Sequence, residues 1–165
     1  MKKPITCILI FLFLFAVSAC NEKVPDKINT HIDASYKAEF GDMYFEGLMI
    51  LSPEGQMYLD MSTPDELYGL SFSWDKDFTI GYRGLNATTE DGYLPDTSFA
   101  QTIKEVCYDI CTANPVFVKA ENGMYLTKGK AQGKEYIVYT DNDGNIITIS
   151  VPDAELKLSF DDNNL

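Results

Sequence analysis

Polar and apolar residues begin to alternate at Ala34, and they do so strictly. In Ala-Ser-Tyr-Lys-Ala-Glu-Phe, Ala34, Tyr36, Ala38 and Phe40 share one side, while Ser35, Lys37 and Glu39 share the other. A period of two is the mark of a half-buried strand. Met43–Leu51 follows as a strand apolar on both sides, and Ser52-Pro53-Glu54-Gly55 has turn chemistry. Met57, Leu59 and Met61 then define a third strand, Leu70, Phe72 and Trp74 a fourth, and Phe78, Ile80 and Tyr82 a fifth. The period changes between residues 98 and 114. Phe99, Ile103, Val106, Cys107, Ile110 and Cys111 recur at helical spacing, with Ser98 and Gln101 as a capping box and Asn114-Pro115 as the stop. Five further strand patterns follow, ending in Leu156-Lys157-Leu158-Ser159-Phe160 with alternate residues inward. About nine or ten antiparallel strands around one amphipathic helix predict an α+β domain.

A different pattern occupies the start. Met1-Lys2-Lys3 precedes a run from Ile5 to Val17 that is apolar except at Thr6. Basic start, apolar centre and small-residue exit are the parts of a secretory signal, and the run is shorter than the roughly 20 residues a spanning helix needs. Its exit, Val17-Ser18-Ala19-Cys20, resembles the bacterial lipobox. That resemblance implies cleavage before Cys20 and a diacylglyceryl group on its thiol, with further acylation such as palmitate on the new amino group. Several acyl chains anchor a protein stably where one does not. The expected organisation is a cleaved signal at 1–19, a lipidated Cys20 with a polar tether through residue 32, and one domain over 33–165. The protein is then a lipoprotein on the extracytoplasmic face of a cell membrane.

Charge narrows the partners. The signal carries away Lys2 and Lys3 but no acid, leaving 11 basic against 25 acidic side chains, a balance of −14. Phosphate backbones need a basic stripe, so nucleic acid is excluded as a partner. Anionic headgroups repel such a body as well.

Catalytic chemistry is sparse, and the chain reads as a non-enzyme. His31 is the only histidine and falls in the tether, away from any nucleophile. Cys107 and Cys111, four apart on the helix, favour two buried thiols over a strained disulfide. Asp141-Asn142-Asp143-Gly144-Asn145 is a hairpin turn and not a calcium loop, since its glycine falls at position four and its twelfth residue is Pro152. No metal or cofactor motif is present.

Soft apolar residues are the more distinctive feature. Met43, Met57 and Met61 fall in neighbouring strands with Phe72 and Trp74, and methionine adapts to irregular ligands. A curved sheet lined this way beneath a helix suits an acyl chain, although an ordinary methionine-rich core accounts for the same residues. Arg83, the only arginine, ends a strand where it could meet a headgroup or carboxylate, or serve as a surface charge.

The order of elements resembles the LolA/LolB-like lipoprotein-carrier superfamily. The residues that carry the likeness are Pro64-Asp65-Glu66-Leu67-Tyr68-Gly69-Leu70-Ser71-Phe72, Gly84-Leu85, Leu94-Pro95-Asp96-Thr97-Ser98-Phe99 and the two closing strands. The resemblance implies an unclosed antiparallel half-barrel with helical cover and an apolar concave face that binds acyl chains. The expectation is a membrane-anchored domain binding a lipid or other hydrophobic ligand through Met43, Met57, Met61, Phe72, Trp74 and Arg83. The alternative is a lipoprotein that scaffolds or regulates a cell-envelope enzyme through protein contacts.

Overall fold

A computed structural model of the chain describes residues 24–90, 94–120 and 122–161. The signal, Cys20 and the first residues of the tether lie outside them. The strands are β1 (Ile32–Phe40), β2 (Met43–Leu51), β3 (Met57–Met61), β4 (Leu70–Trp74), β5 (Phe78–Tyr82) and β6 (Leu85–Thr89). After helix α1 (Phe99–Thr112) come β7 (Val118–Lys119), β8 (Tyr125–Ala131), β9 (Lys134–Thr140), β10 (Ile146–Val151) and β11 (Leu156–Phe160). All eleven form one open sheet in the order β6-β5-β4-β3-β2-β1-β11-β10-β9-β8-β7. Neighbours are antiparallel hairpins except β1 and β11, whose pairing (Tyr36 opposite Phe160, Phe40 opposite Leu156) joins the two ends of the domain. The stretch between β6 and β7 carries the chain from one edge to the other, and α1 lies on that path.

The strand count corrects the expected nine or ten to eleven, and the unexpected strand is β6. Its sequence, Leu-Asn-Ala-Thr-Thr, is exposed at every position. With no buried side it has no apolar alternation to read. Backbone pairing alone makes it a strand, closed onto β5 by Arg83-Gly84 at φ 50° and 85°.

Burial follows the alternation elsewhere. Ile32, Ala34, Tyr36 and Ala38 of β1 are buried, and α1 contributes Phe99, Ile103, Val106, Cys107 and Ile110 to the same core. Phe99 stacks on Phe45 with centroids 4.5 Å apart and meets Phe40 edge-on at 5.8 Å. Burying such a ring is worth about 1.5–3 kcal/mol. Ser98 caps the helix by accepting the Gln101 N–H at 3.3 Å. The reciprocal half of a capping box is not made, because the Gln101 side chain bonds Glu105 at 3.1 Å instead. Ahead of β1, Pro25 and Ile28 are buried and the Asn29 N–H donates to Gly144 O at 2.8 Å, so this part of the polar leader is docked.

Two tyrosine–glycine pairs hold the sheet to its neighbours. Tyr36 stands opposite Gly47, and its hydroxyl donates across to Asp60 O at 2.8 Å. Tyr136 stands opposite Gly129 and covers it so closely that any β-carbon there would enter the phenol ring. Its hydroxyl reaches Asp109 of α1 at 2.5 Å.

Candidate binding site at one end of the covered face

Because β1 pairs with both β2 and β11, the turns that serve those strands lie side by side. The Gly41 N–H donates to Glu155 O at 3.0 Å, tying the β1–β2 turn to the turn at Pro152–Ala154. Between these turns, Thr97 ahead of α1 and Lys134 at the start of β9, the surface opens into a depression of about 530 Å³. Phe40, Met43 and Ala154 supply its apolar lining. Met43, the first residue of β2, is 53% exposed beside the turn. The volume falls within the range of about 300–1,000 Å³ common for small-ligand sites.

The charges around the depression are unequal. Asp42, Asp153 and Glu155 contribute carboxylates, and among the described residues Lys134 is the only cation lining it. That ammonium is already engaged: it donates to Asp96 O at 2.5 Å and stands 3.9 Å from Glu105 Oε2. An anionic ligand group would meet three like charges, each worth about 1 kcal/mol at 4 Å in water. The arrangement suits an apolar group with an uncharged or cationic end.

The residues singled out by sequence are divided. Met57, Met61 and Phe72 are buried in the core on one face of β3 and β4. Trp74, opposite Met57, is half-buried and packs on Phe78 at 5.3 Å between centroids, with Phe72 5.9 Å away. Met43 lies apart from them in the depression. Arg83 is exposed at the β5–β6 turn, its guanidinium 5.0 Å from the Tyr82 ring centroid. Phe40 was legible as an inward strand residue, but nothing in the sequence linked it to Ala154 or Lys134, which arrive through the β1–β11 pairing.

The titrating groups of the interior are shifted toward their neutral forms. Burial, then the Asp60 charge, pushes the Tyr36 hydroxyl above the ordinary tyrosine value. Burial, then the bond to Asp109, does the same for Tyr136. Cys107 and Cys111 are both free, and burial holds the Cys107 thiol well up, which keeps it a packing group and not a nucleophile. Asp141 spends one carboxylate oxygen on the N–H groups of Asp143 and Asn145, at 2.8 and 2.9 Å, as a hairpin turn does. No protein-family model matches this chain, and no curated protein matches it in sequence.

Proposed function

We propose that this chain is a lipid-anchored, extracytoplasmic, non-enzymatic binding domain. In this reading the open sheet curves as a half-barrel around α1, and the depression lined by Phe40, Met43 and Ala154 takes an apolar group. The observation that carries the reading is the exposed Met43 beside Phe40 in a cleft large enough for a small ligand. The site stands at one end of the sheet and not over β3 and β4, where Met57, Met61 and Phe72 are themselves buried in the core. Its acidic surround selects for an uncharged or cationic end on the ligand. Cys20 would hold the domain at the membrane through its acyl chains. Kinship with the LolA/LolB-like carriers belongs to the same proposal, supported by the unclosed antiparallel sheet and the amphipathic helix α1.

The test uses residues 21–165 without detergent and three fluorescent probes of equal chain length, with uncharged, cationic and anionic ends. Binding of the first two, weaker binding of the anionic probe, and an affinity loss of tenfold or more in Ala154→Trp at unchanged melting temperature support the site. Absence of binding by all three, or binding indifferent to both Ala154→Trp and Met43→Ser, sinks it. A role in holding an envelope protein then becomes the leading reading.

A further inference from the structure

The two edges of the sheet differ in a way that calls for explanation. At one edge β7 has only two residues, which offers little template for another strand. At the other, β6 offers five residues whose outer edge pairs with nothing among the described residues. Edge strands are ordinarily blunted by lysine, proline or a bulge. Leu85-Asn86-Ala87-Thr88-Thr89 has no charge and no proline, and its ladder with β5 runs without a register shift. Leu85 is 76% exposed. On a chain this acidic, an uncharged and unguarded edge is out of keeping with the rest of the surface.

We propose that β6 is the surface through which a second copy of this chain continues the sheet, about a twofold axis at Ala87. The backbone sets the register. Tyr82 and Leu85 close a two-residue turn, so Leu85, Ala87 and Thr89 spend their backbone bonds on β5. Asn86 and Thr88 therefore aim theirs outward. Consistent with this, Thr88 stands opposite Thr79 in a close pair whose hydroxyls are 2.9 Å apart. An antiparallel copy centred on Ala87 sets Asn86 against Thr88 twice, which matches every outward donor to an acceptor in about four hydrogen bonds. The two Ala87 side chains meet at the axis, where a narrow pair leaves Cα atoms only about 4.5 Å apart and a small residue fits. Leu85 then packs beside Thr89 of the second copy.

Charge agrees with the same register. Arg83 precedes the strand and Glu90 follows it, so antiparallel pairing sets each Arg83 beside Glu90 of the other copy. The contact is small and the bodies repel, so it belongs to copies crowded in a membrane plane, where effective concentration is high.

The register makes the test specific. Cα atoms about 4.5 Å apart suit a disulfide, so full-length Ala87→Cys, oxidised in the membranes of the bacterium expressing it, should form covalent dimers. Leu85→Cys and Thr89→Cys should each stay monomeric alone and cross-link when expressed together. The unmutated chain sets the background. Arg83→Glu should lower the Ala87→Cys yield several-fold, and adding Glu90→Arg should restore it. A monomeric Ala87→Cys, or Leu85→Cys that dimerises as readily alone, overturns the proposal. Cross-linking of Ala87→Cys to a different protein also overturns it, in favour of a foreign strand at this edge. The interface rests on the anchored reading for its concentration, so if the chain fractionates as soluble the anchor has failed. Oxidation of the soluble chain concentrated to about the millimolar level should then give the same pattern, and monomers there overturn the interface as well.

Discussion

Gly47 is where a single methyl group should do the most damage. Alanine is ordinarily better than glycine inside a strand by roughly 0.5–1 kcal/mol, so at an unconstrained position Gly47→Ala would stabilise. Here a β-carbon would run into the carbonyl oxygen of Asp60, stand 2.8 Å from its carbonyl carbon and lie 3.0 Å from its Oδ1. Two of these three atoms are backbone, so β3 itself must move. Asp60 O accepts from Tyr36 at 2.8 Å, and its Oδ1 accepts from the Leu48 N–H at 2.7 Å. Losing the neutral bond costs about 1 kcal/mol and the charged one about 1.5–3. Overpacking adds about 1–3. The expected loss is thus on the order of 3–6 kcal/mol, a large share of the about 5–15 a domain possesses. Urea unfolding followed by the fluorescence of Trp74, the only tryptophan, measures it. A cycle with Tyr36→Phe sharpens the result. The phenylalanine should cost about 1 kcal/mol in the wild type but almost nothing once Gly47→Ala has displaced Asp60. Gly47→Ala at or above wild-type stability, or strict additivity in the cycle, would falsify the account.

Two further outcomes follow from the interior and the leader. Tyr36, Tyr136 and Cys107 hold their protons in the folded state above the pH at which the unfolded chain releases them. Stability is therefore complete below about pH 8.5, the ordinary thiol value, and falls as pH rises, steepening above about 10 where unfolded tyrosines ionise. Cys107 and Tyr36 each cost up to about 1.4 kcal/mol per pH unit, and Tyr136, nearer to water, costs less. The urea midpoint should hold from pH 7 to 8 and decline above 9, less steeply in Tyr136→Phe; a midpoint unchanged to pH 11 contradicts it. For the leader, Cys20→Ala should move the chain from the membrane to the soluble fraction and abolish incorporation of labelled palmitate. Unchanged fractionation and labelling would end the anchor reading.

Strand alternation and helical spacing are local properties of the chain, imposed by which side of each element faces the core, and they are written directly in the residues. For that reason β1, α1 and β11 were legible from Ala34–Phe40, Phe99–Cys111 and Leu156–Phe160, as was Ser98 as the helix cap. Only the tertiary structure showed β6, because a strand exposed on both faces is made by backbone pairing, and backbone pairing leaves no trace in side-chain pattern. Function divides along the same line. Met57, Met61 and Phe72 were legible as apolar, but whether an apolar residue packs or binds depends on what stands against it, and α1 and the neighbouring strands decide that. The depression joins Phe40 and Met43 to residues more than 90 positions away, Lys134 and Ala154. That meeting is set by the pairing of β1 with β11, a long-range contact with no local signature.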